Sequence, residues 1–493
     1  MKFSIITQTN RIKMSVLSEN RADEATQQMR YAAVEGKNVL FITCFLAKLL
    51  YDRDLPMLKK VAAMKPNIHM VFGNTEDDEG LAQKFRDDGI LTGEAIFADM
   101  SDDEKAGPNI AEACKATGVH FDAIFSPYEH AMFLVGEVGE LLNIPCNPGT
   151  AYSAARDKRL ARQVCEEKGV QTPRFGKVES ASEIEAMVER IGLPLILKPS
   201  SGASSDGVYK CNTLEDVYKH FERVHGELTE AKYMAWNPGC EMVVLLEAYI
   251  DGDEFDVDVL MWEGECVYAN AIDNWPTHEP YFMEEGSNCP STYTGEKLES
   301  LHQYSIDCVK ALGFVSGLFH VETKYSHIKD TPLLIEVNPR MGGGHTHLYH
   351  NEVWGVDLFT EFFMCSIGIP VNPPRAAVPN CAMGDFDIIC AKTGIMQNVT
   401  WMDHLKENPS VVAYKVFAEE GDEVIGYDTE IPQWLGHYLV KSDDVHKTIK
   451  ILKDLIPTFE PPIMEKKNRR PSTGRGIRRF STAGAEGAAM IEN

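Results

Sequence analysis

Two neighbouring segments of the sequence carry carboxylates in a pattern that fits a metal site, FHVETK (319–324) and LLIEVNPR (333–340). If they form a hairpin that turns about Lys329, Glu322 and Glu336 lie opposite each other on adjacent strands. Two like charges in that position destabilise a sheet unless a cation compensates them. The pattern therefore predicts a Mg²⁺ site in which Asn338 supplies a third oxygen, with Mn²⁺ as the alternative ion.

The same hairpin places two more reactive side chains beside these glutamates. Because side chains alternate along a strand, His320 shares a face with Glu322, and Arg340 shares a face with Glu336. There Arg340 could stabilise charge on a transferring group. The alternative interpretation is a solvated strand face, on which Glu and Lys commonly alternate. The flanking apolar residues and Pro339 favour the metal site.

A second candidate site is a loop of small residues that directly follows a lysine. The apolar run LILKP (195–199) predicts a short strand that ends near Lys198, and SSGASSDG (200–207) follows it. Gly202 and Gly207 have the spacing of a G-x-x-x-x-G phosphate loop, but the Lys-Ser/Thr of a Walker A motif does not follow. Such a loop can still offer backbone N–H groups to phosphates. The alternative is an ordinary flexible loop, and the preceding lysine favours phosphate binding.

A third stretch carries acidic residues in and after an apolar run. Residues 242–250 are nearly all apolar and are interrupted only by Glu247, a candidate bulge or edge residue. The chain then turns and alternates strictly, so that Glu254, Asp256 and Asp258 share one face of a predicted strand. The sequence thus predicts a strand with one polar face.

The scaffold that must position these side chains is predicted to combine α/β and α+β parts. Residues 1–150 alternate apolar runs at 39–45, 68–72 and 123–126 with amphipathic stretches such as 80–88. That rhythm predicts a doubly wound, parallel N-terminal domain. A helix is predicted from about 153 to 168, because Gly169 ends its periodic pattern.

The remaining chain divides by composition. Residues 151–370 are rich in hairpin signals and short β-branched strands, and a proline-rich stretch follows them. Residues 371–463 predict a small α+β segment. Residues 464–493 have almost no apolar periodicity, and we expect them to be disordered.

Composition and charge exclude several classes of function. The formal net charge is −26, which argues against a general nucleic-acid binder and against an anionic membrane surface as partner. The start of the chain lacks the apolar core of a secretory signal. The 12 cysteines are irregularly spaced, which favours free thiols over a disulfide framework. We expect a cytoplasmic protein.

Five segments occur in an order that resembles the ATP-grasp superfamily, across about residues 120–370. They are RDK (156–158), LILKP with its Ser/Gly loop, LLEAYIDGDEFDVD (245–258), HVET (320–323) and IEVNPRMGGG (335–344). The lead-in before residue 150 is similar to a pre-ATP-grasp domain. The resemblance implies an ATP-grasp fold with a pre-ATP-grasp N-terminal domain, a central ATP-grasp domain and a small C-terminal α+β lid.

The resemblance also implies roles for individual residues. Lys158 and Lys198 would contact the phosphates of ATP, Glu247 and the backbone near Ile250 would hold adenine, and Glu254 would contact the ribose. Glu322, Glu336 and Asn338 would bind Mg²⁺, and Arg340 would stabilise an acyl-phosphate and the later oxyanion. The nucleotide-binding residues implied are Lys158, Lys198, Ser200, Gly202, Ser204, Ser205, Gly207, Glu247, Ile250 and Glu254.

Within the superfamily, VNPRMGGG, WGVDL and the C-terminal stretch resemble L-amino acid ligases and carnosine synthase. This implies a carboxylate–amine ligase that passes through an acyl-phosphate, releases ADP and phosphate, and takes an amino acid as a substrate. No covalent protein nucleophile is then required. Two alternatives are another ATP-grasp enzyme, of the bicarbonate-dependent or purine-synthesis type, and a non-catalytic ATP-binding regulatory protein.

Candidate substrate residues adjoin the predicted catalytic face. They are Glu129, His320, Gly343, Gly344 and His345. Glycines there would let a carboxylate or phosphoryl group approach backbone N–H groups, and Glu129 could hold the amino group of an amino acid. His345, His347 and His350 are a loose candidate zinc set, with a core or surface role as the favoured alternative.

The basic run at 466–479 differs from the acidic body of the chain. Its sequence around Ser472 and Ser481 is typical of basophilic kinase sites, and the alternative is a solvated end. The expected partners are therefore small-molecule carboxylate and amine substrates, a kinase acting on the tail, and a second copy of the chain in a homodimer.

Overall fold

The computed structural model describes residues 24–202, 205–229, 243–428 and 431–465. Several predictions concern other residues. Ser204, the kinase sites Ser472 and Ser481, and the disorder of residues 466–493 lie outside these ranges. The sequence assigned residues 464 and 465 to the tail, but Met464 is part of a strand and Glu465 forms an ion pair with Lys392. The homodimer stays a prediction.

A four-stranded parallel sheet forms the N-terminal part of the fold, in the order β3-β2-β1-β4. The apolar run of β1 is almost wholly buried, as expected for a parallel sheet that is covered on both faces. The doubly wound arrangement predicted from the apolar rhythm is thus present. Its strands are β1 (Asn38–Ile42), β2 (Asn67–Phe72), β3 (Ala95–Phe97) and β4 (Ala123–Phe125). The helices of this part are α1 (Glu24–Ala32), α2 (Leu46–Leu49), α3 (Tyr51–Ala62), α4 (Glu76–Asp87), α5 (Asp103–Ala116) and α6 (Met132–Leu142).

The predicted single helix at 153–168 is wrong, because the chain breaks at Asp157. The structure has two helices, α7 (Gly149–Arg156) and α8 (Lys158–Glu167). The Asp157 side chain caps the second helix by accepting hydrogen bonds from the backbone N–H groups of Arg159 and Leu160. Aspartate is one of the preferred residues at an N-cap, and this break makes Lys158 the first residue of a new helix.

A four-stranded antiparallel sheet follows, in the order β5-β8-β6-β7. Helices α9 (Ile184–Ile191) and α10 (Leu214–Thr229) bury their apolar residues in a small core with these strands. The sheet carries Lys198 on β6 and Glu247 on β8. Lys198 lies opposite Leu245 and Glu247 lies opposite Ile196, so the two charged residues are diagonal neighbours on adjacent strands. Its strands are β5 (Phe175–Val178), β6 (Leu195–Pro199), β7 (Tyr209–Cys211) and β8 (Val244–Ala248).

The largest sheet has eight antiparallel strands, in the order β13-β12-β9-β10-β11-β14-β18-β16. The strands that precede residue 340 are β9 (Asp253–Trp262), β10 (Glu265–Asn274), β11 (Gly286–Cys289), β12 (Gly317–Ser326) and β13 (Thr331–Asn338). Helix α11 (Gly295–Ala311) contributes Leu301, Cys308 and Val309 to the main hydrophobic core, to which this sheet also contributes.

The C-terminal segment extends this large sheet and does not stand apart from it. Strands β14 (Ala382–Ile389), β16 (Val411–Val416) and β18 (Trp434–Ser442) continue the sheet beyond β11. A separate small sheet contains β15 (Gly394–Met396), β17 (Glu423–Val424) and β19 (Ile463–Met464). Helix α14 (Val445–Leu455) buries Leu452 in a core with residues of β14 and β18.

Helical segments after β13 connect the N-terminal sheet to the large sheet. They are α12 (Thr346–Tyr349), a π-helical turn (His350–Trp354) and α13 (Leu358–Ser366). Phe125 of β4 packs against three phenylalanines of α13, at Phe359, Phe362 and Phe363. One hydrophobic core therefore runs from the N-terminal sheet through α13 to the large sheet.

Two expectations about thiols and membranes can be compared with the described residues. The cysteines there are free thiols, most of them buried, as their irregular spacing predicted. Over the same ranges we find no helix with the length and apolar character needed to cross a bilayer.

Candidate active site

The carboxylate hairpin forms with the predicted register. Glu322 of β12 lies opposite Glu336 of β13, and His320 lies opposite Asn338. On its other side β12 pairs with β9, which places Asp256 opposite Glu322 and Asp258 opposite His320. The polar face predicted for β9 thus continues the polar face of the hairpin.

The pKa values of the two glutamates are shifted in opposite directions. Burial, together with the nearby Glu336, raises the pKa of Glu322 well above its ordinary value. Burial would also raise the pKa of Glu336, but an ion pair with Lys158 outweighs it and holds that pKa well below the usual range. The Asn338 amide nitrogen donates to Glu322 Oε1 at 3.2 Å and to Glu336 Oε1 at 3.1 Å. The three side chains therefore converge on one point.

This donor set fits a hard divalent cation. Its two glutamates bring carboxylate oxygens, which Mg²⁺ prefers. Asn338 turns its amide nitrogen towards them here, and it would bind the ion through its amide oxygen once the amide group is turned over. Among the described residues no three His, Cys, Asp or Glu side chains are grouped to hold a metal by themselves. A cation at Glu322, Glu336 and Asn338 would therefore complete its shell with oxygens from outside the protein, as Mg²⁺ does with phosphates and water.

A cavity of about 1020 Å³, measured with its open mouth, lies beside the hairpin. Glu322, Glu336 and Glu254 line it from the large sheet, and Lys198 lines it from the small antiparallel sheet. The nucleotide residues implied by the resemblance that line this cavity are Lys158, Lys198, Gly202, Ser205, Glu247, Ile250 and Glu254. The structure thus gathers around one cavity residues that are far apart in sequence.

Two other implied residues support this cavity without lining it. The Ser200 carbonyl accepts a hydrogen bond of 2.8 Å from the Lys158 backbone N–H, and its Oγ accepts one of 3.2 Å from the Val243 N–H. Gly207 has φ of +76°, a conformation that favours glycine. Ser205 Oγ donates to the Phe282 carbonyl at 3.2 Å. These contacts attach the small-residue loop to the elements around it.

The three lysines that line this cavity, Lys158, Lys198 and Lys324, are all engaged by carboxylates. Lys198 forms an ion pair with Glu247, whose other oxygen lies 2.6 Å from Arg162 Nη2. Burial lowers the pKa of Lys198 to about 8, although Glu247 opposes the shift. Burial would raise the pKa of Glu247, but Arg162 and Lys198 lower it. Glu247, implied by the resemblance as an adenine contact, thus has a carboxylate that already holds two cations.

Glu254 lines the same cavity. Its carboxylate is 3.6 Å from Lys324 Nζ. Burial raises the pKa of Glu254 to about 7, Lys324 opposes the shift, and Asp256 adds to it. A carboxyl group that is half protonated near neutral pH can both accept and donate a hydrogen bond, which suits contact with a hydroxyl group.

A second, larger cavity of about 2010 Å³ adjoins the first, and Gly202, Glu284, Glu322 and Glu336 line both. The N-terminal domain, the large sheet and the C-terminal strands all contribute to its wall. The predicted substrate residues Glu129, His320, Gly343, Gly344 and His345 line this second cavity, as do Asn338 and Arg340. The carboxylate hairpin is thus the shared wall between two cavities.

Arg340 enters the second cavity at the end of β13 and is held there by Glu129. Its Nε lies 2.9 Å from Glu129 Oε2, and its Nη1 donates to the Met341 carbonyl at 2.8 Å. Arg156 Nη1 is 3.7 Å from the other Glu129 oxygen. The Glu129 carboxylate, predicted to hold a substrate amino group, is therefore engaged by two arginines.

A buried chain of polar residues fixes His320. Asp258 Oδ1 lies 3.1 Å from His320 Nδ1, and Asp258 Oδ2 lies 2.8 Å from His350 Nε2. His350 Nδ1 in turn contacts the Tyr268 hydroxyl at 2.7 Å. Burial would lower the pKa of His320, but Asp256 and Asp258 raise it to about 9. His320 is therefore positively charged at neutral pH.

The zinc alternative for His345, His347 and His350 does not hold, because the three side chains lie in separate environments. His350 belongs to the buried chain behind His320, while His345 lies near Asp385. Burial lowers the pKa of His347 to about 4. No set of these histidines is grouped for a metal within the described residues.

The glycines after β13 allow the chain to pass close to His320. A Cβ atom at Gly342 would lie 2.5 Å from His320 Nδ1 and 2.5 Å from Thr346 Oγ1. Only a residue without a side chain fits this approach, so the Gly342 position is a close contact as well as a turn.

Several residues of the site were missed by the sequence analysis. Arg162 is fully buried, and it donates to the Lys158 carbonyl at 2.8 Å as well as contacting Glu247. Its place one helical turn after Lys158 was an available signal. Glu284 had no such signal, because it lies in a loop without a motif. Other missed residues that line the second cavity include Asp385, Asp387, Trp434 and His437.

Comparisons with known proteins agree with this geometry. The sequence profile of the ATP-grasp domain matches residues 191–347. Human carnosine synthase 1 is 29% identical over 293 residues, which cover 57% of this chain and 35% of that protein. A D-alanine–D-alanine ligase from Janthinobacterium sp. (strain Marseille) is 28% identical over 249 residues, covering 46% of this chain and 72% of that protein. The chain thus spans about a third of the length of the carnosine synthase that it matches.

A solved structure matches the fold over most of the chain. The L-amino acid ligase from Bacillus licheniformis superposes with a TM-score of 0.70 at 19% identity, covering 88% of this chain and all of that one. The matches include a carnosine synthase and an L-amino acid ligase, the two kinds of enzyme that the motifs resemble, and this confirms the resemblance. The chain therefore contains an ATP-grasp domain and has the ATP-grasp fold of the carboxylate–amine ligases it resembles.

Proposed function

We propose that this chain is an ATP-dependent ligase that joins a carboxylate to an amine and takes an amino acid as one substrate. The observation that carries the proposal is the shared wall of the two cavities, which contains Glu322 and Glu336. A nucleotide in the first cavity would direct its terminal phosphate towards this wall. A carboxylic acid and an amine in the second cavity would approach the same wall from the other side.

The first step would be attack of the acid on the terminal phosphate of ATP, with ADP as the leaving group. Lys158 and Lys198 line the nucleotide cavity and would bind the phosphates. Glu322, Glu336 and Asn338 would hold Mg²⁺, which offsets negative charge between phosphate oxygens. Lys158 is paired with Glu336 in the free protein, so it already lies where phosphate and metal would meet.

The second step would be attack of the amine on the acyl-phosphate, with release of phosphate. Arg340 projects into the second cavity, where its guanidinium would stabilise the acyl-phosphate and the developing oxyanion. Its contact with Glu129 keeps it oriented before substrate binds. Catalysis would thus depend on positioning and electrostatic stabilisation.

The nucleotide contacts are part of the same proposal. Glu254, with its raised pKa, would contact the ribose, and the backbone at Ile250 would contact the adenine. Glu247 would act mainly through Lys198 and Arg162, because its carboxylate holds both. The loop that begins at Ser200 would cover the phosphates and help to exclude water from the acyl-phosphate.

The test is product formation from a matrix of acids and amines. Purified protein would be incubated with ATP, Mg²⁺ and pairs of amino acids, with ADP release and product mass measured together. Stoichiometric ADP and amide product support the proposal. ATP binding without turnover on any pair contradicts it, as does turnover that needs bicarbonate and no amine.

A variant locates the activity at the proposed wall. Glu336→Ala removes a metal ligand and should abolish ADP release, while Glu265→Ala changes an exposed glutamate on β10 and serves as the matched control. Full activity in Glu336→Ala would show that the reaction occurs elsewhere.

A further inference from the structure

The second cavity has an acidic end that the proposed chemistry does not use. Asp385 and Asp387 lie on β14, His437 lies on β18, and His345 follows the glycines after β13. In the sheet Asp387 is directly opposite His437, so their side chains share one face. All four residues line the cavity. We refer to these four residues as the acidic end.

The contacts within the acidic end are close but incomplete. His345 Nδ1 is 3.6 Å from Asp385 Oδ2, and His437 Nδ1 is 3.8 Å from Asp387 Oδ1, both longer than a hydrogen bond. The two imidazole rings lie 4.8 Å apart. Asp385 has one hydrogen-bonded oxygen, Oδ1, which accepts from the hydroxyl groups of Tyr349 and Ser287.

Several polar atoms of the acidic end are buried without a hydrogen-bond partner. His345 is 4% exposed and His437 is 2% exposed. Both ring nitrogens of His345, Nε2 of His437 and Oδ1 of Asp387 have no hydrogen-bond partner. Buried polar atoms are rarely left in this state, because each one loses its contacts with water. A ligand with several hydrogen-bond donors would satisfy the carboxylate oxygen and the unprotonated nitrogen of each imidazole.

The charges of the acidic end favour a cation. No Lys or Arg side chain of the described ranges forms an ion pair with Asp385 or Asp387. The arginines that line the cavity are paired elsewhere, Arg53 with Asp54, and Arg156 and Arg340 with Glu129. Burial, together with Asp385 and Glu284, raises the pKa of Asp387 well above its ordinary value. Burial and the neighbouring Asp256 and Glu254 raise the pKa of Glu284 to about 8. The region thus has an excess of carboxylates over cations.

The position of the acidic end assigns it to the amine. A reacting acid would be attracted to Arg340 and to the other arginines that line the cavity, Arg53 and Arg156. The amine would then face the acidic wall that β14 and β18 provide. A group attached to the amine would therefore reach Asp385 and Asp387.

We propose that Asp385, Asp387, His345 and His437 form a subsite for a positively charged side chain of the amine substrate, with a guanidinium group as the best fit. A guanidinium has five N–H donors in one plane and no acceptor, which matches carboxylate oxygens and the one unprotonated nitrogen of each neutral imidazole. This inference rests on the proposed ligase function, since it names the class of amine which that site takes.

The first experiment compares two amines that differ only in charge. L-arginine and L-citrulline have nearly the same shape, but citrulline carries a neutral urea in place of guanidinium. With one fixed acid, kcat/KM for arginine should exceed that for citrulline by about tenfold or more, the size expected for a charged hydrogen bond. Equal values for the two amines would overturn the subsite, although the ligase function would stand.

A variant then assigns the preference to the subsite. Asp387→Asn keeps the size of the side chain and removes the carboxyl group that a bound cation would ionise, and Asp387 has no hydrogen bond at Oδ1 that the change could break. The ratio of arginine to citrulline activity should fall about tenfold in this variant. Asp443→Asn is the control, because Asp443 is an exposed acid just after β18. An unchanged ratio in Asp387→Asn would overturn the proposal.

Equilibrium binding separates the two proposals. L-arginine and L-citrulline would be titrated into wild type and Asp387→Asn in the presence of Mg²⁺ and a non-hydrolysable ATP analogue. Tighter binding of arginine in wild type, lost in the variant, supports the subsite. If arginine binds but no acid gives an ATP-dependent product, the subsite stands and the ligase function is refuted. If product forms but both amines bind equally, the subsite is refuted and the ligase function stands.

Discussion

The buried pair of Glu247 and Lys198 allows a quantitative test of the nucleotide site. Glu247→Gln removes the carboxylate that contacts both Lys198 and Arg162, while the size of the side chain is nearly unchanged. Removing one partner of a buried ion pair destabilises a protein by about 3–5 kcal/mol, because the other charge is left uncompensated. Glutamine retains one oxygen as a hydrogen-bond acceptor, so we expect the lower end, about 3 kcal/mol.

The assay is urea unfolding, with a matched surface variant beside it. Glu265→Gln removes a carboxylate that is 85% exposed and 4.0 Å from Lys310 Nζ. Its free energy of unfolding should therefore differ from that of wild type by less than about 1 kcal/mol. The same Glu247→Gln variant should bind ATP more weakly at pH 8, because Glu247 opposes the lowering of the Lys198 pKa. Equal unfolding midpoints for Glu247→Gln and Glu265→Gln would refute the view that this pair stabilises the site.

Three further predictions concern proton binding and packing. The kcat/KM for ATP should fall as pH rises through about 8, because Lys198 loses its proton there, and Lys198→Arg should move this fall to higher pH in the same rate profile. Asp258→Asn should lower the pKa of His320 from about 9, since Asp258 is one of the two acids that raise it. NMR titration of the imidazole ring would measure the change, and an unaltered pKa would refute the role of the buried chain. Phe125→Ala should lower the free energy of unfolding by about 3–5 kcal/mol, because the ring packs against three phenylalanines of α13; a loss below 1 kcal/mol would contradict the packing.

The hairpin that carries Glu322 and Glu336 was predictable because its physics is local. Alternation along each strand and the short turn near Lys329 fix which residues lie opposite each other. The structure shows this pairing, with a register shift just after Glu322. The lysine and small-residue loop at 198–207 were identified for the same reason, because the strand and the loop are adjacent in sequence.

The acidic end could not be predicted, because it depends on pairings between distant strands. Asp385 comes next to Ser287 only when β14 adds to β11, and Asp387 comes next to His437 only when β18 adds to β14. No local pattern states which strand will be a neighbour of which. The helix break at Asp157 is hard to predict for a different reason, since the periodicity on both sides is helical and a single N-cap residue decides the break.

The order of strands in the large sheet has a consequence for shortened forms of the chain. Strand β11 is short, with β10 on one side, and its other edge is covered only by β14, which begins nearly a hundred residues later at Ala382. A chain that ends before β14 would leave the N–H and C=O groups of β11 unpaired at an open sheet edge. Such edges pair readily with other chains, so the late strands protect the earlier ones from intermolecular association as well as enclosing the cavity.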